Sequence, residues 1–257
     1  MGHAEQARIT ISLPTALGMS RLELQLDDRP MRLSELVAIG ARLTDIVVEE
    51  ALANERREGR AISCRAGCPA CCHHLVGVSL PEAFLVADRV SELAPGPQAD
   101  AIASFDRALR ALESAELLPA LRGLATTRPA ERQALARGYA DAAIGCPLLL
   151  DGSCSIYPGR PLICRDLNVT SPRECCSGVS PEAYRRVPTS PLLSGPLARL
   201  TTKLAHGAPP IVAMPLVLEA AEAHAELAFH SWPAQSLVPA LLAELEAVAV
   251  MPPRRSC

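Results

Sequence analysis

The chain has 257 residues, 49% of them apolar, with 25 basic and 28 acidic side chains and a net charge of −3. That is enough apolar material for one large core or two small ones without disulfide support. The charges are mixed along the chain, which leaves no basic stripe for nucleic acid and no polybasic run for a membrane surface. No uncharged apolar run reaches the ~18 residues of a spanning helix. Arg8, Asp27, Asp28 and Arg29 interrupt any signal-like stretch near the N-terminus. The expectation is a cytosolic chain with no membrane and no nucleic-acid partner.

Residues 8–13 and 21–26 alternate polar and apolar side chains, with Pro14 and Gly18 in the connection, and predict a β-hairpin. The spacing of Leu36, Ile39, Leu43, Ile46, Val47 and Leu52 predicts a helix from Ser34, as N-cap, to about Arg57, with a turn near Gly59. A cysteine-rich loop follows. Ser79-Leu-Pro81-Glu82 then opens a helix that runs to about Leu93 and stops before Pro95-Gly96-Pro97. Further helices are predicted over roughly 99–116 and 129–143. A second cysteine-rich stretch, 145–178, reads as loop with one short turn, and a short helix is expected from Ser180-Pro181-Glu182. Residues 190–249 read as several helices broken by prolines, the last from about Gln235 to Val248, before a frayed tail at Met251 to Cys257. The expected fold is mainly α with a small N-terminal β-hairpin, its metal-binding loops clustered between helices. Three segments are expected: hairpin and helix (1–58), cysteine domain (59–185) and C-terminal helical region (186–257).

Nine of the ten cysteines lie between positions 64 and 176. Thiolates this dense repel one another unless something positive neutralises them, and a metal ion or an iron–sulfur cluster is the ordinary answer. In a reducing compartment, clustered cysteines are more often ligands than disulfides. Cys64, Cys68 and Cys71 have the spacing at which a tight loop directs two sulfurs at one ion. Cys71 and Cys72 are adjacent, and adjacent side chains tend to point apart, so one can face a metal while the other faces a second metal or the core. Cys146, Cys154 and Cys164, with gaps of eight and ten, suit separate loop turns meeting at a common centre. The two loops are therefore expected to form one site. Zinc needs four ligands and a cubane cluster four sulfurs, so either group can be served. The dipeptides Cys68-Pro69 and Cys146-Pro147 favour iron–sulfur.

Among the neighbours, His73 and His74 are expected to support or flank the ligands, and His206, His224 and His230 to be structural or surface groups. Arg160 and Arg165, on either side of Cys164, are expected to offset thiolate charge, and Tyr157 to pack beside the loop. Cys257 reads as a tail thiol without a role. No Ser-His-Asp set or paired-carboxylate site stands out, and there is no glycine-rich nucleotide loop.

The series Cys64, Cys68, Cys71, Cys72, then Cys146-Pro-Leu-Leu149, then Cys154-Ser-Ile-Tyr157-Pro-Gly-Arg160-Pro-Leu-Ile-Cys164-Arg165 resembles the YkgJ-type cysteine-cluster family. The likeness covers roughly residues 60–180, and departs from the family pattern in a Cys-x3-Cys at 64–68 where Cys-x2-Cys is commoner. The resemblance implies a zinc- or iron-chelating domain, with Cys175 or Cys176 filling the place of a further family cysteine. The implied ligands are Cys64, Cys68, Cys71, Cys72, Cys146, Cys154, Cys164 and Cys176. The family also includes domains like the cysteine-rich part of flagellin lysine N-methylases, thought to carry an iron–sulfur cluster. Three functions follow as expectations. The first is a 4Fe-4S protein in electron transfer or protein modification, acting on a protein partner or substrate. The second is an N-methyltransferase like the flagellin enzymes. The third is a zinc-stabilised interaction module.

Overall fold

A computed structural model describes residues 7–15, 18–27, 29–177, 184–189 and 193–249. Strands β1 (Ala7–Thr15) and β2 (Gly18–Leu26) form the antiparallel hairpin, in register from Ala7 opposite Leu26 to Thr15 opposite Gly18. It is longer than the alternation predicts because Pro14 sits inside the ladder, opposite Met19. A two-stranded ribbon has only edge strands, where a proline without an N–H is tolerated. Ile11, Leu13 and Leu26 turn inward, while Arg8, Thr10 and Ser12 are exposed.

After β3 (Pro30–Arg32) comes helix α1 (Leu33–Arg57). Its cap is Arg32 rather than Ser34: Glu35 Oε2 accepts the Arg32 N–H at 2.8 Å, and Ser34 is buried in the first turn. Strand β4 (Gly77–Ser79) leads into α2 (Leu80–Ser91), capped by Ser79 as predicted. Helix α3 (Pro95–Ser114) begins at the prolines expected to precede it. First-turn residues have no intrahelical acceptor for their N–H, so proline loses nothing there. Helix α4 (Leu118–Arg122) escaped prediction and α5 (Pro129–Asp141) matches it. The second cysteine stretch holds a small hairpin, β5 (Leu149–Leu150) with β6 (Ser153–Cys154), and helix α6 (Leu162–Asp166). The C-terminal part comprises α7 (Ser194–Leu204), β7 (Ile211–Ala213), α8 (Val217–Ala223), α9 (Ala225–Phe229), β8 (Ser231–Pro233) and α10 (Ala234–Ala249). The start of the helix expected from Ser180-Pro181-Glu182 onward and the tail from Met251 to Cys257 lie outside the described residues.

Helix α2 occupies the middle and packs on α1, α7 and α8, while α1 also carries α6 and α7 carries α10. One hydrophobic cluster draws Leu13 from the hairpin, Phe84 and Leu162 from around the cysteine loops, and Leu197 and Leu241 from the C-terminal helices. Two short antiparallel pairs, β3 with β8 and β4 with β7, tie the N-terminal half to the C-terminal half. The chain is mainly α. No helix among the described residues is long and apolar enough to cross a membrane.

Candidate metal centre

The first cysteine loop leaves α1 through Gly59, whose φ of +73° favours glycine, while Arg60 N–H returns to Glu55 O at 3.0 Å. A second glycine, Gly67 at φ +80°, folds the turn that closes with Cys68 N–H on Arg65 O at 3.2 Å. Ala70–His73 then form a 3-10 turn carrying Cys71 and Cys72. The second loop is built differently. Asp151 (φ +48°) and Gly152 (φ +75°) make the tight turn between β5 and β6, which sets Cys154 opposite Leu149. Ser155 N–H closes on Leu148 O at 2.8 Å, and the chain passes Tyr157–Gly159 into α6 with Cys164.

The two loops lie against each other. Cys146 N–H donates to Cys72 O at 2.7 Å, and Ser63 N–H to Val169 O at 3.0 Å. Val169 N–H points at Cys64 Sγ, 3.3 Å away. The Ala70–His73 turn rests on the turn at Arg173–Ser177, where His74 Nε2 lies 2.5 Å from Cys176 O. A carbonyl only accepts, so Nε2 carries the proton. His73 lies exposed against the open face of Gly145. Cys176 is buried and the other described cysteines, Cys175 included, are half-buried.

Electrostatically, Cys71 is the hub. Its charge raises the pKa of Cys64, Cys72, Cys146, Cys154, Cys164 and Cys176. Within the adjacent pair, the Cys72 thiol donates to Cys71, which lowers Cys71 and raises Cys72. Burial pushes Cys146 up to about 12, opposed by the N–H groups of Leu148 and Leu149. Burial likewise raises Cys164, Cys64, Cys154 and Cys176, with the Ile156 N–H opposing it at Cys154 and the Val169 N–H at Cys64. N–H groups aimed at sulfur favour the thiolate, the form that binds metal.

The two arginines of the second loop part company. Arg160 stacks its guanidinium 4.0 Å above the Tyr157 ring, and its charge favours the thiolates of Cys64, Cys71 and Cys154. Arg165, expected to do the same, is engaged elsewhere. Its Nη1 donates to both oxygens of Asp45 on α1, at 2.9 and 3.0 Å, and Nε to Arg160 O at 3.0 Å. It staples the loop to the helix. His206, His224 and His230 line a separate concavity with Trp232, and Cys257 lies outside the described residues.

Among the described residues, no three His, Cys, Asp or Glu side chains stand grouped as a ready-made ion site. The surroundings nevertheless suit a thiolate-bound group. Three buried polar atoms of the second loop, Ser155 Oγ, Arg160 Nε and Thr170 Oγ1, lack any hydrogen-bond partner. Donors of this kind are completed by sulfur acceptors at a metal–thiolate centre. Compared with family models, curated proteins and solved structures, the chain gives no match.

Neither Asp45 nor the links Glu82 makes beyond its cap belongs to the cysteine motif. The Asp151-Gly152 hairpin was signalled by its dipeptide, and Glu82 by the Ser-x-x-Glu capping pattern. Nothing in the pattern joins Asp45 to Arg165, 120 residues away.

Proposed function

We propose that this chain holds an iron–sulfur cluster through its two cysteine loops and serves in electron transfer, or in modifying a protein partner. The reading is supported chiefly by one observation: the two cysteine loops lie against each other, with Cys146 N–H on Cys72 O at 2.7 Å and Val169 N–H aimed at Cys64 Sγ at 3.3 Å. Such a cluster supplies a one-electron couple whose potential responds to nearby hydrogen bonds and charge. In this chain the groups that would act on it are Arg160 and the N–H groups of Leu148, Ile156 and Val169. The cluster's four ligands would be drawn from Cys64, Cys68, Cys71 and Cys72 of the first loop and Cys146, Cys154, Cys164 and Cys176 of the second.

The test is anaerobic purification with iron, zinc and acid-labile sulfide analysis. Visible charge-transfer absorption with iron and sulfide is expected. Cys68→Ser and Cys164→Ser should each bleach that absorption, because oxygen is the poorer ligand, and Cys257→Ser should leave it unchanged. A colourless protein with stoichiometric zinc and no sulfide replaces this reading with a zinc-stabilised module. Binding of S-adenosylmethionine by the anaerobic protein would point to the methyltransferase alternative.

A further inference from the structure

We propose that Glu82 is the positioning residue of the thiol centre, locking the helix that carries Cys164 to the strand that leaves the first cysteine loop. The inference rests on the metal-binding reading above and concerns a residue outside the cysteine motif.

Three helices of this chain use a glutamate at the third position of a capping box: Glu35 on α1, Glu82 on α2 and Glu131 on α5. Capping alone does not require burial. The side chains of Glu35 and Glu131 keep 31% and 48% of their surface exposed, whereas Glu82 is 0% exposed. A carboxylate taken out of water is costly unless its lone pairs are filled. Glu82 fills them from three places. Oε2 accepts Ser79 N–H at 2.8 Å and Ser79 Oγ–H at 2.6 Å. Oε1 accepts Leu162 N–H at 2.8 Å and Ser194 Oγ–H at 3.3 Å.

Each partner has a place in the centre's architecture. Ser79 ends β4, the first strand after Cys71 and Cys72. Leu162 opens α6, two residues before Cys164, and its N–H is one that a helix start leaves without an internal acceptor. Ser194 opens α7, the first helix described after the second loop. One carboxylate therefore caps two helices and fixes the angle between the two cysteine loops. Its negative charge works against thiolate formation at Cys164, so its contribution to the centre is geometric rather than neutralising.

The full-length chain, reduced and stripped of metal, is titrated with Co²⁺ without oxygen, following the thiolate-to-cobalt absorption. Glu82→Gln presents an NH₂ to donors that need acceptors. It should weaken cobalt binding by about tenfold or more, the scale on which groups supporting metal ligands act. Glu35→Gln, which removes a capping glutamate whose other partner is Arg29, should leave cobalt binding unchanged. Wild-type affinity in Glu82→Gln, or an equal loss in Glu35→Gln, overturns the positioning role. Should Glu82→Gln fail to fold, Glu82→Asp keeps the charge, shortens the reach and is expected to act in the same direction. If the wild-type chain shows no thiolate-bound cobalt, the metal reading itself fails. Glu82 is then judged by iodoacetamide labelling read by peptide mass spectrometry. Faster labelling of Cys164 in Glu82→Asp, which keeps the charge, with Cys68 unchanged, upholds the positioning role, and equal rates at Cys164 overturn it.

Discussion

The two cysteine loops are anchored in opposite ways. From Arg56 to Gly77 no residue is buried, so the first loop rests on the fold as a surface cap. The second loop is rooted in the core: Pro147, Leu148, Ile156, Pro161, Leu162, Asp166 and Val169 are all buried. The thiols do not divide along the same line: burial raises Cys64 in the cap as it raises Cys146 and Cys164 in the cradle, while Cys71 is lowered by its neighbour Cys72. Apolar burial holds the cradle in place at ~1.5–3 kcal/mol per large side chain. The cap has only Leu75 and Val76, half-buried against the core, and otherwise depends on its hydrogen bonds, to the cradle and from Met214 N–H to Val76 O at 2.9 Å, and on whatever its sulfurs hold.

Metal removal should sharpen this contrast most. Chelation of the loaded chain is expected to speed amide exchange across 60–76 by at least about tenfold, while 145–166 responds far less and the helices are unaffected. Hydrogen exchange resolved by peptide checks it. Equal loosening of both loops would break the distinction between cap and cradle.

Arg165 tests the cradle from the other side. Its side chain is 12% exposed and bonds Asp45 and the carbonyls of Arg160 and Pro158. Arg165→Ala should cost about 0.5–1.5 kcal/mol of stability, since water can reach Asp45 once the arginine is gone, and speed exchange over Tyr157–Asp166. Arg65→Ala, at an exposed position in the cap, should change neither. Urea unfolding of the two variants settles the comparison. A silent Arg165→Ala would mean that the buried side chains alone hold the cradle.

This asymmetry also explains what could be read from the sequence. The cap was legible as a cysteine-rich turn because Cys64, Cys68 and Cys71 are close neighbours in the chain. The hairpin and α2 were legible for the same reason, through alternation and the Ser79–Glu82 cap. The cradle depends on contacts across the chain: Arg165 with Asp45, Leu162 with Glu82, Ser63 with Val169. Local periodicity carries no trace of these. Arg165 shows the limit most clearly, since adjacency to Cys164 suggested a counter-charge while the fold turns its guanidinium to α1. The short pairs of β3 with β8 and β4 with β7 were hidden too, because three-residue strands have too little alternation to show.

The smallest expected effect lies at the root of the cap. Arg60, where the first loop begins, pairs with Glu55 in the last turns of α1, with Nη2 donating to Oε1 at 2.9 Å. The hydrogen bond from Arg60 lowers the Glu55 pKa against the opposing effect of burial. A carboxylate whose folded pKa is depressed contributes stability above its unfolded value, about 4.3, and loses that contribution as pH falls through the folded value. Acidification from neutral should therefore leave the cap root intact down to about pH 4.5 and loosen it below that. Amide exchange at Arg60 to Ser63, corrected for the intrinsic pH dependence, reports the change. Glu55→Gln should abolish this pH dependence and leave exchange in Tyr157–Asp166 unaltered. A pH dependence that survives in Glu55→Gln would show that another group, not this pair, holds the cap to α1.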